Sequence, residues 1–252
     1  MTTAHSGSGD LSASMKLLWH GKEPTSRGPK PGLTLEGIVG AAVTLADREG
    51  LAALSMRKVA AELDVGTMTL YRYVPGKGEL LDLMLDEVYG PPEALVHHRD
   101  KDWRAVLEIV ARGTWKLFLD HPWLLQVNQA RPILGPNALA GFDFALAALN
   151  GLGLTGRERV AILIAIEGYV TGMARTYVLQ QQASQESGIS DEEFWAAQEP
   201  TLREAMASGD YPEVAGLSED AFAMAGEVAL EFGLGPLLDG FAAFIAAKGA
   251  PA

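Results

Sequence analysis

Apolar residues recur at intervals of three and four positions along almost the whole chain beyond residue 33. No stretch alternates apolar and polar residues in the two-residue period of a half-buried strand. Amphipathic helices bury their apolar stripes against one another, so this spacing predicts an all-α fold. With 252 residues, the chain is long enough for one large domain or two smaller ones.

Residues with strong preferences for helix ends divide the periodic stretches into separate helices. The first predicted helix lies between a cap at Thr34 and a stop at Gly50, and the second begins at Ser55. Capping boxes open two of the later helices, which start near residues 156 and 191. The remaining predicted helices cover residues 67–73, 77–89, 103–119, 122–129, 137–149, 156–181, 191–207 and 219–247, with loops at 182–190 and 208–217 and a break near Pro236.

The composition excludes several kinds of site. The sequence has no cysteine, which excludes disulfides, thiolate catalysis and cysteine-ligated metals. We find no residues with the spacing of a catalytic or metal site and predict no cofactor; the adjacent His97 and His98 are poorly placed to share a metal. The longest strongly apolar run, residues 160–166, is too short to cross a bilayer, and no signal peptide is visible. These features predict a cytoplasmic protein without membrane contact.

The charge of the chain is unevenly distributed. The net charge of −12 by itself argues against nucleic-acid binding. Residues 16–77, however, contain nine Lys and Arg residues against six acidic residues, whereas residues 90–252 contain 11 against 21. This asymmetry indicates a module that faces a polyanion, joined to an acidic body.

Two short predicted helices joined by a tight turn, around residues 64–67, have the pattern of a helix-turn-helix. Apolar residues pack the pair together, and the second helix presents hydroxyl and guanidinium groups that suit phosphates and base edges. Lys77 begins the next helix, where its cation and the free backbone N–H groups can share a phosphate. The pattern alone is equally compatible with three ordinary helices of a bundle.

The stretch LSMRKVAAELDVGTMTLYRYVPGKGELL, residues 54–81, closely resembles the DNA-binding domain of the TetR family of bacterial repressors. The resemblance extends over residues 33–89. The later half is similar, over shorter segments, to the tetracycline-repressor type of C-terminal regulatory domain. The N-terminal residues 1–32 are rich in Gly, Ser, Pro and Lys and lack a sustained period, which predicts a flexible basic arm. The resemblance implies a three-helix DNA-binding domain at 33–89 with a linking helix at 77–89, and a helical ligand-binding and dimerisation domain at 90–252.

The resemblance also implies roles for individual positions. In relatives, the counterpart of Arg57 reads a base and that of Ser55 binds a phosphate. The sequence departs from the family pattern at Tyr73, where His is commoner, and at Asp64, where Gly usually makes the turn. The residues implied to contact DNA are Ser55, Arg57, Thr67, Met68, Thr69, Tyr71, Arg72, Tyr73 and Lys77.

The basic residues of the arm allow two interpretations. Lys22, Arg27 and Lys30 either contact DNA, as basic arms do in the minor groove, or belong to a solubilising tail.

The regulatory half carries an apolar run, residues 160–166, that covers the whole circumference of a helix and must be covered on two sides. Gly168 and Gly172 would let a neighbouring backbone approach closely. In family relatives, the corresponding helices of two subunits form a four-helix dimer interface; burial within one monomer is the alternative. Large residues on these helices also predict a ligand cavity. The candidate ligand-binding residues are Trp115, Asn128, Tyr169 and Met173.

Together with these features, the resemblance implies a homodimeric, ligand-responsive regulator that binds palindromic operator DNA. Repression until a small-molecule effector releases the DNA is what the resemblance to this family implies. Tetracycline repressors bind a drug–magnesium chelate through a His shortly before an Arg–Pro pair. Here residues 126–128, shortly before Arg131–Pro132, include no His, which argues against a magnesium–tetracycline inducer. The alternatives are a helical ligand-binding protein or an enzyme, neither of which would bind DNA. The G-x-G-x-x-G pattern at 151–156 lies between two predicted helices, so we interpret it as a turn and not as a dinucleotide site.

Overall fold

The computed structural model describes residues 4–21, 33–90, 97–98, 101–218 and 220–249. Within these residues the chain is helical almost throughout, which confirms the predicted all-α class. Short 3-10 helices lie at Leu51–Ala53 and Pro122–Gln126, and two-residue strands form at Ala4–His5 (β1) and Val127–Asn128 (β2). The α-helices are α1 (Leu11–His20), α2 (Leu35–Glu49), α3 (Met56–Glu62), α4 (Thr67–Tyr71), α5 (Lys77–Val88), α6 (Trp103–Asp120), α7 (Pro136–Ala148), α8 (Gly156–Ser187), α9 (Asp191–Ala207), α10 (Pro212–Ala215) and α11 (Gly226–Gly249).

Helices α2 to α5 form the first unit around a common apolar core. The predicted limits of α2 are confirmed: the Thr34 hydroxyl accepts the N–H of Gly37 at 3.0 Å, and the helix stops at Gly50. The buried residues of α2, which pack into this core, are Ile38, Val39, Ala42, Leu45 and Ala46. Helix α5 is buried on every side over residues 79–86, because it lies between this unit and the rest of the molecule.

The second unit is built on α8, which contacts both α6 and α11 along its length. Both predicted capping boxes are present. At the start of α8, Thr155 and Glu158 bond reciprocally, and Ser190 and Glu193 do the same at the start of α9. In contrast to α8, α9 has no buried residue.

The N-terminal residues correct the prediction of a flexible arm over 1–32, because residues 4–21 are ordered. Asp10 caps α1 by accepting the N–H groups of Ser12 and Ala13, and β1 pairs in parallel with β2. The segment makes polar contacts with α5, and its apolar residues that pack against the core, Ala4, Leu17 and Leu18, are too few to give a repeating apolar pattern in the sequence. Residues 22–32, with the basic residues of the arm, lie outside the described residues.

Four other parts of the chain differ from the prediction. Residues 122–129 form a 3-10 turn and β2 instead of an α-helix, because the backbone of β2 pairs with β1. Helix α8 continues through a polar stretch to Ser187 and ends at Gly188, which has a left-handed φ of 68°. Helix α11 starts at Gly226, later than predicted, and runs unbroken through Pro236. Within the predicted loop 208–217, residues Pro212–Ala215 form the single turn α10.

Candidate DNA-binding surface

Helix α3 has one buried side and one exposed side. Met56, Val59 and Ala60 are buried, whereas Arg57 and Lys58 are exposed. The Ser55 hydroxyl caps the helix by accepting the N–H of Lys58 at 3.3 Å. A serine at this position can cap the helix and can also bind a phosphate, because the capping hydroxyl lies at the positive end of the helix.

The turn from α3 to α4 depends on Asp64. Its φ is 51°, the left-handed conformation that Asp adopts more readily than most residues. The N–H of Asp64 bonds to the carbonyl of Ala61, and the N–H of Val65 bonds to that of Ala60. This is the Schellman pattern of a helix end, and it fixes the direction in which α4 leaves α3.

Helix α4 is held to the core by few residues. Leu70 is its only buried residue, and Val74 is buried just beyond its end. Met68 is 75% exposed and Tyr71 is 44% exposed, although both are large apolar or aromatic residues. The predicted DNA-contact residues on and around this helix are all wholly or partly exposed: Thr67, Met68, Thr69, Tyr71, Arg72 and Tyr73.

The cations on this side of the molecule differ in their partners. Lys58 forms an ion pair with Glu49 at 2.7 Å, and Arg48 pairs with Glu49 and Glu62. Over the described chain, by contrast, the three cations predicted to bind DNA form no ion pair. These cations are Arg57, Arg72 and Lys77.

Lys77 is the first residue of α5, as the sequence predicted. The N-cap residue, Gly76, provides no side-chain oxygen for the first N–H groups of the helix. A positive side chain and N–H groups without a capping side chain thus lie at one helix start, which is an arrangement that favours anions.

The candidate ligand-binding residues lie in different surroundings. The ring of Trp115 is buried and lies 5.6 Å from the ring of Tyr177, centroid to centroid. Tyr169 is half-buried, and its hydroxyl donates to the Leu230 carbonyl in α11 at 2.8 Å. Met173 is half-buried against the core. Asn128 is exposed, and its side-chain oxygen accepts the N–H of Ala130 at 2.9 Å.

Two grooves of similar size open on the surface of the second unit. One, of about 490 Å³, lies between Trp19 of α1 and the outer face of α7. The other, of about 480 Å³, lies between α8 and α11 and includes Phe241 and Phe244. Neither groove is lined by the four candidate ligand-binding residues.

Three buried carboxylates on α5 were missed by the sequence analysis. Glu79, Asp82 and Asp86 recur at helical spacing, and each is 5% exposed or less. Asp86 accepts the N–H groups of Asn137 and Ala138 and so satisfies the start of α7. Burial raises the pKa of the Asp82 carboxyl. In the sequence, these acidic residues lie among the leucines of the predicted helix 77–89. This pattern could have indicated that some of them are buried.

Comparison with known proteins relates both units to DNA-binding regulators. Residues 38–84 match the family model described as bacterial regulatory proteins, tetR family. Residues 97–245 match the model described as tetracyclin repressor-like, C-terminal domain.

Whole-chain relatives agree with these matches. The chain is 53% identical to the HTH-type transcriptional repressor DrrR1 of Streptomyces coeruleorubidus over 98% of this chain and 91% of that protein. It is 35% identical to an HTH-type transcriptional regulator of Saccharopolyspora erythraea, over 85% and 86% of the two chains. Among solved structures, ActR of Streptomyces coelicolor in complex with actinorhodin is similar with a TM-score of 0.63 and 27% identity, covering 88% of this chain and 100% of that one.

Proposed function

Because the chain belongs to the TetR family of bacterial regulatory proteins, we propose that it binds a palindromic operator as a homodimer and represses transcription until a small molecule releases it. The observation that carries this proposal is the surface from Ser55 to Lys77. Hydroxyl groups, aromatic rings and three cations without ion pairs to described residues project there from a helix-turn-helix. Groups of these kinds are suited to contacts with a DNA backbone.

The residues divide into two kinds of contact. We assign base contacts to Arg57 and to the outward residues of α4, since these lie on the helix that enters the major groove in helix-turn-helix proteins. We assign phosphate contacts to Ser55, Lys77 and the polar residues at the end of α4. The base-facing residues of α4 are Thr67, Met68 and Thr69, and the phosphate-facing residues near its end are Tyr71, Arg72 and Tyr73.

We propose that the effector binds in the second unit and favours the conformation in which the DNA-binding helices are released. The complex of the similar protein ActR with actinorhodin supports a ligand site in a domain of this fold. The residues we assign to it are Trp115, Tyr169, Met173 and Asn128. Helix α5 contacts both units and is the element through which binding in one reaches the other.

The direct test is an electrophoretic mobility-shift assay with the DNA upstream of the gene that encodes this chain. We expect retardation that is specific for this DNA and weakens steeply with salt, since phosphate contacts release counterions. A helical ligand-binding protein or an enzyme that does not bind DNA would retard none of the fragments at low salt.

Two substitutions separate base contacts from phosphate contacts. Arg57→Ala should cost about 1–3 kcal/mol and relax the preference at one operator position, because it removes a contact to a base edge. Lys77→Ala should weaken all sequences alike and reduce the salt slope by about one. Unchanged operator affinity in both variants would contradict the assigned contacts.

A further inference from the structure

Residues 4–21, which we name the N-terminal strap, form a loop attached to the second unit at both ends. At the first end, β1 pairs with β2, and the Ser6 hydroxyl donates to the Arg131 carbonyl at 2.8 Å. At the other end, the Trp19 indole N–H donates to the Leu134 carbonyl at 3.2 Å. Both ends therefore bond to the segment that leads into α7.

Between these ends the strap bonds to the first turns of α5. The N–H of Gly7 and the hydroxyl of Ser14 both donate to the Asp82 carboxylate, at 2.9 and 2.6 Å. The N–H of Asp10 donates to the Glu79 carboxylate at 2.5 Å. Since Asp82 and Glu79 are almost fully buried, these bonds supply the hydrogen-bond donors that two buried carboxyl groups need.

The backbones of the strap and of α5 touch at two glycines. A Cβ atom added to Gly78 would lie 2.5 Å from the nitrogen and 2.8 Å from the Cα of Gly9. A Cβ atom added to Gly9 would collide with the Glu79 carboxylate. Only glycine at both positions allows this approach, and Gly78 directly follows Lys77.

We propose that the N-terminal strap positions the first turn of α5, and with it Lys77, for DNA binding by fastening that turn to the second unit. This inference rests on the proposed DNA contact of Lys77. A helix start that is already held in place loses less conformational freedom when it binds a phosphate, so the strap raises operator affinity by preorganisation. The strap also gives the second unit a connection to the DNA-binding surface that is separate from the covalent course of α5.

The test is Gly78→Ala, which forces the strap away from α5, compared with Gly113→Ala in the middle of α6. A Cβ atom at Gly113 meets no atom within 4 Å, so this control makes the same chemical change without a collision. We expect Gly78→Ala to weaken binding to the upstream DNA by about 5-fold or more, as measured by fluorescence anisotropy. Adding Lys77→Ala to Gly78→Ala should then weaken binding by less than Lys77→Ala does in the parent protein.

Hydrogen exchange gives a readout that does not depend on DNA. Amides of residues 79–82 should exchange faster in Gly78→Ala than in Gly113→Ala, because the first turn of α5 has lost its support. Ser14→Ala removes the hydrogen bond from the Ser14 hydroxyl to Asp82 without adding volume. This variant tests the role of the strap if Gly78→Ala fails to fold. Its effects should have the same direction and a smaller size.

The outcomes separate the two proposals. If the parent protein binds the upstream DNA and the strap variants bind it equally well with unchanged exchange in α5, the strap inference is overturned and the proposed function stands. If the parent protein and Gly113→Ala bind no DNA, the proposed function fails, and the role of the strap in DNA binding fails with it.

Discussion

Asp64 alone makes the backbone reversal that separates α3 from α4, and it is the only non-glycine residue of the described chain with a positive φ. The left-handed conformation costs an L-residue about 1–2 kcal/mol, with Asp among the residues that tolerate it. We expect Asp64→Val to lower the free energy of unfolding by about 1–2 kcal/mol relative to Asp64→Gly. Urea unfolding of both variants measures this difference. Equal stabilities would contradict the assigned strain.

A second residue, Asp47 of α2, joins the first unit to the second. Its carboxylate accepts the indole N–H of Trp123 at 2.7 Å and lies 2.7 Å from Nδ1 of His121. Because Trp123 is 1% exposed, Asp47→Ala would leave a buried donor without a partner, which costs about 1–3 kcal/mol. Asp47→Asn keeps an acceptor and should lose less stability in thermal or urea unfolding. If both variants were as stable as the parent protein, the contact of Asp47 with Trp123 would not contribute to the stability of the protein.

At the scale of elements, the start of α8 is tied to the end of α11. The Lys248 ammonium lies 2.6 Å from the Glu158 carboxylate, which also accepts the N–H and hydroxyl of Thr155. These bonds lower the pKa of Glu158 from its ordinary value of 4.5 to about 2, and the bond from Lys248 contributes most. The stabilisation from this carboxylate is therefore complete above pH 4.5 and is lost as the pH falls towards 2.

Lys248→Ala should raise the pKa of Glu158 towards the value that a capping box alone produces. Glu193 supplies the internal reference, because its pKa is lowered by the N–H and hydroxyl of Ser190 without a lysine. An NMR titration of the glutamate side-chain carbons measures both groups in one sample. A Glu158 pKa that stayed near 2 in Lys248→Ala would show that the ion pair has little influence.

The elements that sequence patterns predicted are those whose signal is local. The Thr34 cap, both capping boxes and the turn at Asp64 each depend on residues close in sequence, and the structure has them all. Helix α1 escaped prediction because its decisive contact, from Ser14 to Asp82, is polar and joins distant parts of the chain.

The continuity of helix α11 escaped prediction for a different reason. Pro236 was interpreted as a break, yet the helix continues, and the proline removes only the N–H that would bond to the Phe232 carbonyl. The side chain of Phe232 is 69% exposed, so this part of the helix lies at the surface. The outward residues of α4 in the candidate site could be predicted from a family motif. The carboxylates beneath the N-terminal strap could not, because their burial depends on packing between distant parts of the chain.

At the scale of the whole molecule, the second unit leaves an apolar surface uncovered. Ile164 on α8 is 60% exposed, and Val228 and Phe232 on α11 are 66% and 69% exposed. Gly168 and Gly172 follow Ile164 at four-residue spacing on α8, and both face open space. By length and composition alone, α8 and α11 are also apolar enough to cross a membrane. A homodimer is predicted from the sequence, and we propose that a second copy of the chain covers this surface.

Ile164→Glu should therefore dissociate the proposed dimer, because it would place an unpaired charge in an apolar interface. Light scattering should give twice the chain mass of 26.8 kDa for the parent protein and a single chain mass for the variant. Leu119→Glu on α6 is the control, since Leu119 is also exposed but lies on neither α8 nor α11. The Ile164 variant should also lose operator binding, because one helix-turn-helix reads only half of a palindrome. A parent protein with the mass of one chain, or an Ile164 variant with that of two, would refute this interface.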